Sequence, residues 1–172
     1  MPRLLLQELP RYECLLAAAE KYPTFNPSSV EAFLHLLRTG DLVFEAENAY
    51  LARFQVSQGR FTILMILSRT CAGCLSPAAL AEKSGVTRAT ISGLLDTMER
   101  DGLVTRNDSA SDRRTVIVLL TEQGQDLVNA ILPGYFARVE ELISPLNADE
   151  RKAFVTLLQK IQSVLADSGP DA

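Results

Sequence analysis

The segment from Leu75 to Gly124 constrains the fold of this chain more than any other part of it. Its apolar spacing predicts two short helices, a strand, a polar loop, a second strand and the start of another helix. The loop carries Asp112, Arg113 and Arg114. A helix-turn-helix followed by a charged β-hairpin can hold duplex DNA, with one helix in the major groove and the hairpin tip on the backbone or in the adjacent minor groove. We therefore expect a DNA-binding regulator.

Capping residues define the two short helices of this segment. Ser76 is the expected N-cap of the first helix, with Pro77 at its first position, and Gly85 suits the left-handed position after its end. Thr87 then caps the second helix, which runs from Arg88 to Asp101 and ends at Gly102. This second helix is expected to bury one apolar stripe: Ile91, Leu94, Leu95 and Met98.

The β-hairpin is predicted from two strands, Leu103–Arg106 and Thr115–Leu120, on either side of the polar loop. The residues from Cys71 to Cys74 are interpreted as a connector between helices. The predicted fold is therefore mainly α with a small β-hairpin wing, that is, a winged helix-turn-helix with N- and C-terminal dimerisation helices.

Amphipathic helices precede the central segment. Arg11–Lys21 is a short helix candidate that ends before Pro23. A longer helix begins either with Asn26 as N-cap and Pro27 at its first position, or with Ser28 as N-cap and Glu31 closing a capping box. It runs to about Phe54. Ser57 caps a further compact helix that ends near Ser68.

Two more helices follow the central segment. Thr121 is expected to cap a long helix that Pro133-Gly134 kinks or divides, and Asn147 with Glu150 begins the last one. The predicted parts are residues 1–56 and 123–172 for dimerisation and residues 57–122 for DNA binding. The apolar seams of the flanking helices exceed what the central segment can bury, so burial against a second copy is the economical arrangement.

Composition limits the classes of protein that fit. No apolar run approaches the roughly 18 residues that a membrane span needs, and the N-terminus is a poor signal peptide. Three cysteines do not make a disulfide scaffold, so we expect a cytoplasmic protein. The net charge of −4 counts against DNA binding, since from Lys83 to Arg114 six basic residues face five acidic ones.

The central residues resemble the MarR family of transcriptional regulators. The resemblance rests on the run from Gly85 to Ser92, followed by Leu95-Asp96, Met98-Glu99-Arg100 and Gly102-Leu103-Val104. The spacing of Asp112-x-Arg114 and Leu120-Thr121-x-x-Gly124 strengthens it. The resemblance covers roughly Val30 to Leu165, and Met1–Tyr22 is similar to the extra helix of some urate-responsive relatives.

This resemblance implies a winged-helix homodimer whose terminal helices interlock. It also implies binding to double-stranded DNA at a palindromic operator, and release when a small phenolic or aromatic acid binds. The chain departs from many relatives at Gly93 and Thr97, where those carry arginine or another long polar residue. The operator sequence therefore cannot be transferred from them.

The loop arginines are the main candidates for contacts with the DNA backbone. Arg114 is the first choice for a minor-groove or phosphate contact, with Asp112 orienting it through a charge-assisted hydrogen bond. The alternative is a solvated loop pair that contributes little. Arg113 and Arg106 are candidates for plain phosphate contacts, or else are simply exposed to solvent.

The helix pair supplies the remaining DNA-binding candidates. Arg88, Thr90 and Ser92 lie on the exposed face of the second helix and could contact base edges. Thr87 and Ser76 lie at helix N-termini, where a hydroxyl can reach a phosphate, although capping alone explains both.

Other functions are weighed against this one. Tyr50, Arg53 and Arg60 could bind an aromatic carboxylate, whereas an ion pair with Glu45 or Glu47 is the structural alternative. Cys71 and Cys74 could form a thiol switch, and zinc is poorly supported because His35 is the chain's one histidine. Neither a metal nor another cofactor is expected. A winged-helix module for protein assembly is the rival from another class, and no motif indicates an enzyme.

Overall fold

The computed structural model describes residues 8–70, 74–108 and 116–167. The chain divides into two compact units, Met1–Gln125 and Asp126–Ala172. The three-part division predicted from the sequence stays a prediction. Within the described ranges, no helix has both the length and the apolar character needed to cross a membrane.

Helices build most of both units. In chain order they are α1 Tyr12–Ala19, α2 Pro27–Ala52, α3 Gln58–Arg69, α4 Pro77–Ser84, α5 Arg88–Arg100, α6 Glu122–Ile143 and α7 Ala148–Asp167. The first five belong to the first unit, and α6 begins there and continues into the second. The predicted fold class, mainly helical with a small β-sheet, is confirmed.

The predicted N-caps of the first unit are confirmed because each side chain accepts a hydrogen bond from the first turn of its helix. Asn26 accepts from the backbone N–H of Ser29, which selects this cap over the alternative at Ser28. Ser57 and Thr121 do the same for α3 and α6. These bonds satisfy donors that have no partner within the helix.

The sheet has three strands, in the order β1-β3-β2. Strands β2 Val104–Asp108 and β3 Val116–Leu120 form the predicted antiparallel pair. The interpretation of Cys71–Cys74 as a plain connector is wrong at its end, because Cys74 and Leu75 form β1, which pairs antiparallel with β3. A two-residue strand has no recognisable alternation, so pattern reasoning could not find it. Below, "wing" means β2, β3 and residues 109–115 between them.

The core of the first unit lies between the helices and the sheet. The predicted stripe on α5 is largely confirmed, since Ile91, Leu95 and Met98 are fully buried while Leu94 is half-buried. The other fully buried side chains of this unit come from α2, α3, α4, β2 and β3: Leu51, Ile63, Leu64, Leu67, Leu80, Val104 and Val118.

The second unit contains the rest of α6 and all of α7. Of the two alternatives for Pro133-Gly134, division of the long helix is wrong, because α6 continues through Pro133 to Ile143; a kink there stays a prediction. Proline removes one backbone donor from the helix, and the remaining hydrogen bonds are sufficient to continue it. The capping box that begins α7 is confirmed, since Asn147 Oδ1 accepts from the N–H of Glu150 at 3.0 Å and Glu150 Oε2 accepts from the N–H of Asn147 at 2.8 Å.

Large apolar side chains remain exposed in each unit. On α7 they recur at helical spacing: Phe154, Leu157, Ile161, Val164 and Leu165. In the first unit, Phe33, Leu36 and Leu37 on α2 are also exposed. Exposed apolar area of this kind on a folded chain marks a surface that contacts another molecule.

Candidate nucleic-acid interface

The turn between α4 and α5 has a fixed geometry. Gly85 adopts the left-handed conformation with φ of 67°, as predicted, and its N–H donates to the carbonyl of Glu82. The next N–H, of Val86, donates to the carbonyl of Ala81 at 3.3 Å. Thr87 Oγ1 then accepts from the N–H of Thr90 at 3.2 Å and begins α5. The two helices are therefore joined by a turn whose backbone groups are bonded at both ends.

The N-terminal half of α5 presents a polar face of short side chains. Arg88, Thr90, Ser92 and Gly93 are all exposed, while Ile91 on the opposite face is fully buried. A methyl group added at Gly93 would meet no atom within 4 Å. Such a face can approach another surface closely, with Arg88 as its long hydrogen-bond donor.

An open cleft of about 720 Å³ is lined by α4, the turn that follows it and the first residue of α5. Its lining includes Ser76, Thr87 and Arg88, so three of the predicted site residues lie around one concave surface. Glu82 also lines the cleft. The N-caps of both helices, Ser76 and Thr87, therefore line one surface together with the C-terminal end of α4, and Arg88 is the cation on it.

The hydroxyl groups of this face already take part in hydrogen bonds within the chain. Ser76 Oγ accepts from the N–H of Ala79 at 3.2 Å, and Ser92 Oγ donates to the carbonyl of Arg88 at 3.0 Å. Thr87 and Thr90 share a hydroxyl–hydroxyl bond of 2.9 Å. These four residues therefore have a structural role, and a hydroxyl that accepts one bond can still donate another.

Arg106 lies in β2 and reaches across to α5. Its Nη2 is 2.6 Å from Asp96 Oδ1, and its Nη1 is 3.5 Å from Glu99 Oε2. The backbone N–H of Arg106 donates to Glu99 Oε1 at 3.2 Å. The sequence placed Arg106 at a strand–loop junction as a phosphate contact or a solvent-exposed residue. The structure instead places it inside the strand and pairs it with two carboxylates.

Arg60, Arg53 and Tyr50, the predicted ligand-binding residues, lie near the junction of α2 and α3. Arg60 Nη2 is 2.7 Å from Asp101 Oδ2, at the end of α5. For Arg60, the expected ion pair with Glu45 or Glu47 is wrong. Its ion-pair partner is Asp101, which lies 41 residues later in the chain. The Arg53 guanidinium lies 5.8 Å from the centroid of the Tyr50 ring, and Tyr50 itself is buried.

Several predicted residues lie outside the described ranges. Asp112, Arg113, Arg114 and Cys71 are among them, so their roles stay predictions. Cys74 is a half-buried free thiol in β1. Over residues 8–70, 74–108 and 116–167, no group of three or more His, Cys, Asp or Glu side chains is arranged to hold a metal ion.

The structure adds contacts that the sequence did not predict, at the C-terminal end of α5. Thr121 Oγ1 donates to the carbonyl of Gly102 at 2.6 Å and also accepts from the N–H of Gly124. Gln123 Nε2 donates to the carbonyl of Asp101 at 3.4 Å. The first turn of α6 is thus bonded to the turn that ends α5. From the sequence, Gly102 is recognisable as the end of one helix and Thr121 as the start of another. No sequence pattern indicates that these two residues, 19 positions apart, are bonded to each other.

Comparisons with known proteins agree with this architecture. The model of the MarR family matches residues 56–116. The transcriptional repressor YetL of Bacillus subtilis is 35% identical over 153 residues, which cover 89% of this chain and 92% of YetL. The chain belongs to the MarR family. The predicted resemblance is confirmed, and these relatives are transcriptional regulators rather than enzymes.

Solved MarR-family structures share the fold. AbsC from Streptomyces coelicolor has a TM-score of 0.77 at 23% identity, covering 83% of this chain and 97% of AbsC. A mutant of MarR from E. coli, solved in complex with operator DNA, has a TM-score of 0.65 at 26% identity and covers 83% of this chain and 96% of MarR. The chain is thus a MarR-type transcriptional regulator with a winged helix-turn-helix fold.

Proposed function

We propose that this MarR-type regulator is a sequence-specific DNA-binding repressor. In this proposal α5 enters the major groove, and the wing contacts the backbone or the adjacent minor groove. The observation that carries the proposal is the exposed polar face of α5, which begins at a fixed turn and opens onto a cleft with Ser76, Thr87 and Arg88 around it. The operator complex of the similar E. coli MarR and the repressor function in the name of YetL support it.

A homodimer on a palindromic operator is part of this proposal. The exposed apolar stripe on α7, from Phe154 to Leu165, supports a second copy as its partner because such a stripe is costly in water. Two copies related by a two-fold axis would present their α5 helices about one DNA turn apart, roughly 34 Å. Each copy would then read one half of a palindrome.

Binding to DNA is tested with Arg88 and a matched arginine on the same helix. Fluorescence anisotropy would measure binding of the wild type, Arg88→Ala and Arg100→Ala to labelled DNA from upstream of the chain's own gene. Both substitutions remove one positive charge, but residue 100 lies at the other end of α5, about 18 Å along the helix axis from residue 88. Removing a base or phosphate contact of Arg88 should weaken binding by about 1–3 kcal/mol, or roughly 5- to 150-fold.

The control and the possible outcomes separate specific recognition from charge. Arg100→Ala should change the affinity less than about twofold, since the ionic contact that the structure gives it is with the adjacent Asp101 at 3.6 Å. Equal losses for the two variants would indicate a general charge effect and contradict a base-reading role for Arg88. If the wild type binds no sequence more tightly than non-specific competitor DNA, the proposed function is wrong. That result would favour the alternative of a winged-helix module for protein assembly.

We further propose that a small aromatic acid releases the protein from DNA by binding near Tyr50, Arg53 and Arg60. Arg53 is an exposed cation beside an aromatic ring, an arrangement that suits an aromatic anion. The Arg60 guanidinium is paired with Asp101, and its buried Nε has no hydrogen-bond partner among the described residues, which leaves one donor of this group unused. Thermal-shift measurements with salicylate and benzoate, on the wild type and on Arg53→Gln, test this. A shift that Arg53→Gln leaves unchanged would contradict the assigned site.

A thiol switch at Cys71 and Cys74 is the second candidate signal. Its support is that Cys74 carries a free thiol in β1, which pairs with the wing strand β3. A disulfide within the protein would lower its mass by two hydrogens. Mass spectrometry of peroxide-treated protein, with Cys74→Ser as control, decides whether the two cysteines join.

A further inference from the structure

The exposed face of α5 that carries the proposed DNA contacts also carries acidic residues. Residues 88, 92, 96 and 99 lie within about 80° of each other around the helix. Arg88 and Ser92 in the N-terminal half are followed on the same face by Asp96 and Glu99, and all four are exposed. A carboxylate without a cationic partner on this face would repel the phosphates of a bound duplex.

One guanidinium group contacts both of these acids. Arg106 in β2 bonds Asp96 through Nη2 at 2.6 Å, and its Nη1 lies 3.5 Å from Glu99. The same Nη2 donates to the carbonyl of Ser92 at 3.4 Å. The Arg106 side chain is 28% exposed, so it is directed over the helix rather than out into solvent. Its short contact with Asp96 is of the charge-assisted kind, which is stronger than a neutral hydrogen bond.

One of these acids, Glu99, also fixes the backbone of β2 to α5. The N–H of Arg106 donates to Glu99 Oε1 at 3.2 Å, so Glu99 holds both the main chain and the side chain of this residue. These bonds therefore fix the position of β2, the first strand of the wing, against α5. Arginine suits the task because its planar fork can bond two carboxylates at once, whereas lysine offers a point charge.

We propose that Arg106 is a positioning residue for DNA binding. It holds β2 against α5 and neutralises Asp96 and Glu99 on the proposed DNA-facing surface, and it does not bind a phosphate itself. This inference rests on the proposed function. It assigns to Arg106 an effect on affinity that depends on the presence of the two acids.

The experiment measures the cost of losing Arg106 with and without those acids. The duplex is one that the full-length wild type selects from a random-sequence pool, and anisotropy is measured at fixed salt. Arg106→Gln in the wild-type background should weaken binding about tenfold, in the middle of the range for coupled neighbours. In the Asp96→Asn, Glu99→Gln background, Arg106→Gln should cost less than about threefold, because there is no charge left to neutralise.

Two further variants distinguish positioning from a direct contact. Arg106→Lys keeps the positive charge but loses the planar guanidinium. If Arg106 contacts a phosphate directly, this variant should bind DNA almost as the wild type does. If the guanidinium must bond both acids, the variant should recover only part of the affinity that Arg106→Gln loses. Arg100→Gln, which removes an arginine from the end of α5, is the matched control and should change affinity less than about twofold. Circular dichroism melts of every variant check that each is folded at the assay temperature.

The outcomes separate this inference from the function on which it rests. If Arg106→Gln costs as much or more in the acid-free background, Arg106 contacts DNA directly and the inference is overturned while DNA binding stands. If the wild type selects no duplex at all, the proposed function and this inference are both overturned.

Discussion

Gly124 in the first turn of α6 is the position where the structure predicts the sharpest effect of one added methyl group. Gly124 is buried, and its N–H donates to Thr121 Oγ1 at 2.9 Å. A Cβ built there would meet the carbonyl oxygen of Leu103 and would lie 3.1 Å from its carbonyl carbon and 3.0 Å from Leu120 Cδ2. The obstacle at Leu103 is backbone, which cannot rotate away as a side chain can.

Gly124→Ala should therefore destabilise the protein although alanine is the better helix former. Overpacking costs about 1–3 kcal/mol, and a rigid backbone obstacle places this site at the upper end of that range. The gain in helix propensity offsets about 1 kcal/mol of it. The free energy of unfolding should fall by about 2 kcal/mol, and the Tm of a chain of this size by about 4–8 °C.

Thermal unfolding followed by circular dichroism at one fixed protein concentration measures this change, since association would otherwise shift Tm. Gly93→Ala is the matched control, because Gly93 lies in the interior of α5 with nothing within 4 Å of the added methyl group. That variant should be more stable by about 0.5–1 kcal/mol. If Gly124→Ala is as stable as the wild type, or more so, the packing of α6 on the α5–β2 turn is not as described.

Three other substitutions test separate parts of the structure. Thr87→Ala removes the N-cap of α5 and should lower the free energy of unfolding by about 1 kcal/mol in urea melts, whereas Thr87→Ser should restore most of it; no difference between the two would contradict the capping role. Arg114→Ala should weaken binding to all duplexes and reduce the magnitude of the slope of log K against log salt by about one unit. If the variant is a folded dimer with an unchanged slope, Arg114 does not contact a phosphate. Ile161→Asp places a charge in the exposed apolar stripe of α7 and should convert a dimer to monomer, as measured by sedimentation velocity at micromolar concentration. If the dimer is as stable as that of the wild type, another surface joins the two copies.

Features set by neighbouring residues were predictable from the sequence. The N-caps at Ser76 and Thr87 and the left-handed Gly85 each depend on hydrogen bonds and dihedral angles within one turn, so residue type and spacing suffice to predict them. The buried stripe of α5 was predictable for the same reason, since its period is that of the helix. The resemblance to the MarR family rests on these same residues.

Features that depend on tertiary proximity were not predictable. Strand β1 exists only because Cys74 and Leu75 lie beside β3, more than 40 residues later in the chain. The ion pair of Arg60 with Asp101 joins residues 41 positions apart, while the expected partners lay closer in sequence. Arg106 was misplaced because its strand extends two residues further than the alternation indicated, to Asp108, which moves it from the loop junction into the sheet.

These ion pairs also change how the charge of the chain bears on DNA binding. Counted along the sequence from Lys83 to Arg114, five acidic residues nearly cancel six basic ones, which disfavours contact with a polyanion. In the structure, Asp96 and Glu99 contact Arg106, and Asp101 contacts Arg60. Arg88 at the other end of the helix is exposed at the cleft. The charge of α5 is thus divided, with a cation at the N-terminus, where the helix dipole also favours an anion, and paired acids towards the C-terminus. A chain of net negative charge can present a local anion-binding surface when its acids are paired in this way, because screening limits the reach of the distant charges to about 10 Å at moderate salt.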